Sequence, residues 1–129
     1  MLSRIWHKTQ WSVVGGVISF SDSAEHTWLV AGWAFRQILD DVRRQYANDE
    51  ELIRELELAE IHSGLMLEGL EPALAGRLEA AIRNVVSGIL AGTVPSGITE
   101  QPYGDQLTVQ QYLESLKDLM QILCSSRGD

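Results

Sequence analysis

Apolar positions recur at steps of four and three from Trp28 through Gly32, Phe35, Leu39 and Val42 to Tyr46. That spacing places them on one helix face. A second row, Ala31, Phe35, Ile38 and Val42, lies beside the first, and the run Trp28–Phe35 is apolar all round. A helix with that surface is covered on several sides. Ser21, Asp22 and Ser23 precede it, with Glu25 three residues after Asp22, which reads as a capping box. The pattern therefore predicts a central helix over 22–46.

Three further helices follow. Asn48 with Glu51 reads as a second capping box, and Asp49, Glu50 and Glu51 suit the positive end of a helix dipole. Leu52, Leu56 and Ala59 mark the apolar face, and the helix is predicted to run to His62 and stop or bend at Gly64. Residues 65–70 are apolar but broken by Gly69. Pro72 suits a first helical turn. Leu74, Leu78, Ala81, Ile82, Val85, Ile89 and Leu90 then form a stripe that Gly92 is placed to end. From Thr93 to Leu107 there is no period, and Pro95, Gly97, Pro102 and Gly104 mark a long loop. Thr108 with Gln111 opens the last helix, carried by Val109, Tyr112, Leu113, Leu116, Leu119, Met120 and Leu123.

The first twenty residues are less settled. Residues 1–10 read as a helix or an irregular segment. For 11–20, two short strands about a Gly15–Gly16 turn compete with a helix carrying Val13 and Val17 on one face. Arg4 and Lys8 ahead of the apolar run Trp11–Phe20 resemble a secretory signal, but the run holds two glycines and no Leu. The expected fold is mainly α: a single-domain helical bundle of four to six helices over 1–129, with segment 1–20 open.

Composition narrows the function. The chain has 129 residues, a net charge of −8 and four tryptophans. Nucleic-acid binding through phosphates needs clustered Lys and Arg, which this balance disfavours. An anionic membrane surface repels such a chain, and no apolar stretch approaches the ~18 residues of a span. A basic protein partner is electrostatically favoured. The single cysteine, Cys124, excludes an internal disulfide and fits a reduced, cytoplasmic setting.

No chemical motif stands out. His7, His26 and His62 lie far apart, and none has a carboxylate or second His at a ligand spacing, except Asp22 before His26, which reads as a cap. There is no Gly-x-Ser-x-Gly and no phosphate loop. We expect no enzyme, no metal and no cofactor. The patterned charge is the second helix, where Asp49, Glu50, Glu51, Glu55, Glu57 and Glu60 face only Arg54. Such a run reads either as a solvated face or as a partner surface. In the long loop, Tyr103 beside Asp105 reads as an aromatic anchor with an acidic rim, or as a cover for the core.

A small, acidic, Trp-rich chain without a catalytic motif resembles, in general character, a bacterial immunity protein of the contact-dependent inhibition type. The resemblance maps no residue. It implies a tight complex with a toxin domain, often a nuclease, whose basic surface meets acidic residues on the antidote. Asp49, Glu50, Glu51, Glu55, Glu57, Glu60, Tyr103 and Asp105 are then the candidate partner-binding residues. The alternative is a small, self-associating helical regulatory or scaffold protein without enzymatic activity.

Overall fold

A computed structural model describes residues 15–21, 23–101 and 104–126. The expectations for residues 1–14, Asp22 and Tyr103 lie outside the described residues. Four α-helices dominate: α1 (Gly32–Gln45), α2 (Glu50–His62), α3 (Pro72–Ala91) and α4 (Gln106–Ser126). They do not form a bundle alone. Strands β1 (Gly16–Ser19), β2 (Thr27–Val30) and β3 (Gly64–Met66) make a three-stranded sheet in the order β2-β1-β3. Helix α1 packs on β1, α2 and α3, while α4 packs on α3 and β2.

The largest departure from the sequence pattern lies in its most regular stretch. The helix expected over 22–46 begins only at Gly32. Ahead of it, Ser23 caps a single 3-10 turn, Ala24–His26, by accepting the Glu25 N–H at 3.2 Å. Thr27–Val30 then runs extended beside β1, with Ile18 opposite Trp28 and Val17 opposite Leu29. Burial along β2 has period two: Trp28 and Val30 are inside, and Leu29 is outside. A strand neighbour gives these backbone groups partners that an isolated helix would have supplied itself.

Of the two forms open for 11–20, the described part is a strand: Gly16 is the first residue of β1, which pairs with β2 and, in parallel, with β3. A side chain at Gly16 would bring its Cβ within 2.1 Å of Phe35 Cβ. The glycine lets α1 lie directly on the strand.

Helix ends shift by a residue or two. Asp49, not Asn48, caps α2, accepting the Leu52 N–H at 3.2 Å. The helix stops at Ser63, a left-handed residue with φ 57°, and Gly64 opens β3 instead of serving as the stop. Gly92 ends α3 as predicted, with φ 81°. The loop after it holds a 3-10 turn, Gly97–Glu100. Helix α4 is opened by Asp105, whose carboxylate accepts the Thr108 N–H at 2.8 Å, in place of the expected Thr108–Gln111 box.

One core joins these elements. Phe35, Ile38, Leu39 and Val42 of α1 meet Ile18 and Trp28 of the sheet, Leu52 and Leu56 of α2, Leu78, Ile82 and Val86 of α3, and Tyr112, Leu116 and Leu119 of α4. Each such side chain contributes roughly 1.5–3 kcal/mol of burial. The Trp28 indole N–H donates to the Ser115 carbonyl at 3.1 Å and so ties β2 to α4.

Candidate functional site

The described structure holds two carboxylate centres of opposite character. The first was not visible as a site in the sequence. Asp41 of α1 is 1% exposed, and four donors converge on it. The Ser96 hydroxyl and the Tyr112 phenol reach Oδ2 at 2.6 and 2.7 Å, and the Gly97 N–H and Gln37 amide reach Oδ1 at 2.9 and 3.1 Å. Burial, then the Asp41 charge, pushes the Tyr112 phenol up, so it stays a donor. A buried carboxylate with four donors is stable and rigid. It fastens the loop after α3 to α1 and α4. Its signal was available: Gln37 and Asp41 are polar residues four apart in register with Ala34 and Ile38 on the apolar side of α1.

The second centre is the outer surface of α2. Leu52, Leu56 and Ala59 turn inward, leaving the acidic residues predicted as partner-binding on or near the surface. Several already have partners within the chain. Arg77 of α3 reaches Asp49 at 2.6 Å and Glu51 at 2.5 Å. Its hydrogen bond, with help from the Leu52 N–H, holds the Asp49 carboxyl below its ordinary range. The same two acids push the Arg77 guanidinium up. Arg43 of α1 lies 3.1 Å from Glu60 Oε1, contacting that buried oxygen as a charge without an aligned hydrogen bond.

Glu50, Glu55 and Glu57 are different. None has an ion pair among the described residues. The same helix holds two large apolar side chains in water, Leu58 at 44% and Ile61 at 75% exposure. A shallow groove of about 430 Å³ is lined by Arg43, Glu57, Glu60 and Ile61. A wider open groove, about 650 Å³, lies between the end of α1 and the start of α2 and includes Arg44, Tyr46, Asp49 and Arg77. Its cations are paired: Arg44 is pushed up by Glu100 and Asp40.

The remaining predicted residues separate. Asp105 is on the surface, but its carboxyl is held below the ordinary range by the Thr108 N–H and hydroxyl. It is a helix cap. Trp33 of α1 is half-buried, with its ring centre 6.3 Å from that of Tyr112. His26 Nδ1 sits 2.7 Å from the Ser21 hydroxyl, not against a carboxylate, and His62 is exposed. Among the described residues no three His, Cys, Asp or Glu side chains are grouped to hold a metal, and no helix is long and apolar enough to cross a membrane. Cys124 is exposed. No protein-family model, no curated protein and no solved structure matches the chain.

Proposed function

We propose that the protein is a binding module for a basic protein partner, and that it acts as an immunity protein by occluding a basic toxin domain. One observation carries the reading. Glu50, Glu55 and Glu57 have no ion pair among the described residues, and Glu57 lines a groove with Ile61 next to the exposed Leu58. Unpaired carboxylates raise the encounter rate with a cationic surface, and apolar neighbours hold it after contact. The resemblance to immunity proteins in size, charge and tryptophan content supplies the toxin as the class of partner.

The test is calorimetric titration against a basic toxin domain recovered by pull-down with this chain from its native cell. The triple variant E50K/E55K/E57K is expected to lose at least ~10-fold in affinity and much of the salt dependence. Unchanged affinity and unchanged salt dependence would overturn the proposal.

A second reading, self-association, is favoured by the outer face of the sheet. Leu29 on β2 and Met66 on β3 alternate with the core residues Trp28 and Leu65, and they are 69% and 47% exposed. A stable dimer in solution without any partner would favour that reading.

A further inference from the structure

The exposed side of α2 has a finer order than its charge. Seven residues separate Glu50 from Glu57, Glu51 from Leu58, and Arg54 from Ile61. Arg54, Leu58 and Ile61 follow at steps of four and three, the spacing of a coiled-coil seam. All three are exposed, and they lie opposite the inward-facing Leu52, Leu56 and Ala59. With Leu58 and Ile61 as seam positions, the flanking positions are Glu50 and Glu57 on one side and Glu55 and His62 on the other. Those flanks hold the three α2 carboxylates that have no ion pair among the described residues. Glu51, which shares the seam position of Leu58 one heptad earlier, is the residue that Arg77 neutralises.

From this register we infer that α2 pairs with an amphipathic basic helix, carrying Leu or Ile along its seam and Lys or Arg at its flanks. The inference rests on the binding-module reading and names its partner's chemistry. Seam residues insert between those of the facing helix, and flanking charges choose the partner. Three free carboxylates at the flanks select cations. They also reject a second copy of this chain, whose own α2 would set Glu50, Glu55 and Glu57 against like charges. Arg54 interrupts the apolar seam. Its stem covers the seam, while its guanidinium asks for a carboxylate or amide at one layer of the partner and so fixes the register.

The probes are synthetic helical peptides of about three heptads. One has Leu on the seam and Lys on the flanks. A second keeps the Lys and replaces each Leu by Ser. A third keeps the Leu and has Glu on the flanks. Amide shifts of the full-length protein report the site, and titration reports affinity. The Leu–Lys peptide is expected to shift residues 50–62 and to bind at least ~10-fold tighter than either control, the margin of about two lost contacts. Ile61→Asp and Leu58→Asp are expected to lose a similar factor with the circular dichroism unchanged.

Equal binding of the Leu–Lys and Ser–Lys peptides would overturn the helix seam while supporting capture of a basic partner by charge. Equal binding of the Leu–Glu peptide would overturn the role of the flanking carboxylates. A Leu–Lys peptide that leaves α2 unshifted would overturn the seam outright, whereas the binding-module reading falls only to the calorimetric result against the toxin domain.

Discussion

Asp41 and the three free glutamates of α2 bear the same chemical group in opposite settings. Asp41 is sealed from water and receives four hydrogen bonds from three separate parts of the chain. Glu50, Glu55 and Glu57 lie at or near the surface and receive no ion pair within the described structure. A buried carboxylate must be satisfied internally, because desolvating it alone would cost several kcal/mol. An exposed one is already solvated, so leaving it free costs little and keeps it available to a partner. Asp41 therefore belongs to stability, and the α2 surface carries the proposed recognition.

The sharpest way to break that division is to remove Asp41. Asp41→Ala strands the Ser96 and Tyr112 hydroxyls, the Gly97 N–H and the Gln37 amide, and is expected to destabilise the fold by roughly 3–5 kcal/mol. Urea unfolding measures it. A loss below ~1 kcal/mol, the size of one ordinary hydrogen bond, would mean the cluster does not hold the loop.

Tyr112→Phe removes one donor to a charged acceptor and is expected to cost about 1.5–3 kcal/mol at neutral pH. It also has a pH signature. The folded phenol is pushed above its ordinary value of 10.0, so the unfolded chain gives up that proton first. The Tyr112 contribution is complete below pH ~10, the unfolded value, and shrinks as pH rises beyond it. The gap in urea midpoint between wild type and Tyr112→Phe should narrow in alkali. A constant gap would show that the phenol is not buried beside Asp41.

On the other side of the comparison, E50K/E55K/E57K is expected to shift stability by no more than ~0.5 kcal/mol per site, in either direction. Thermal unfolding beside the binding titration separates the two roles. A large destabilisation would place these residues with Asp41.

The smallest effect belongs to an acid between the extremes. Asp49 is both helix cap and Arg77 partner, and its lowered carboxyl favours the fold above the unfolded value and loses that benefit as pH falls through the folded one. Arg77→Ala should move the Asp49 titration midpoint, read by carboxyl carbon shifts, upward toward 3.8. The Leu52 N–H still lowers it in part. An unmoved midpoint would detach Arg77 from the α2 surface.

The same comparison explains what the sequence made legible. Helices α2, α3 and α4 were readable to within a few residues, because each buries one stripe and its period is local. Strand β2 was not. Trp28 continues the four-and-three spacing of α1, and only pairing with Ile18 at the far side of a turn makes it a strand. Short strands are decided by a neighbour that periodicity does not see. The acids of α2 could be found from charge alone, but which of them remain free depends on Arg43 and Arg77, brought from other helices. Asp41 stood out only as a polar residue on the apolar side of α1; its donors Ser96, Gly97 and Tyr112 were hidden because they are distant in sequence.

Those distances have a kinetic consequence. Asp41 joins residues 55, 56 and 71 positions away along the chain. Such contacts require large loops to close before they reward the chain, so they form late on the folding path. An interaction absent from the transition state acts on escape from the native state, not on arrival. In a chevron plot, Asp41→Ala should lift the unfolding limb and leave the folding limb nearly in place. On that outcome the buried carboxylate sets how long each molecule stays folded.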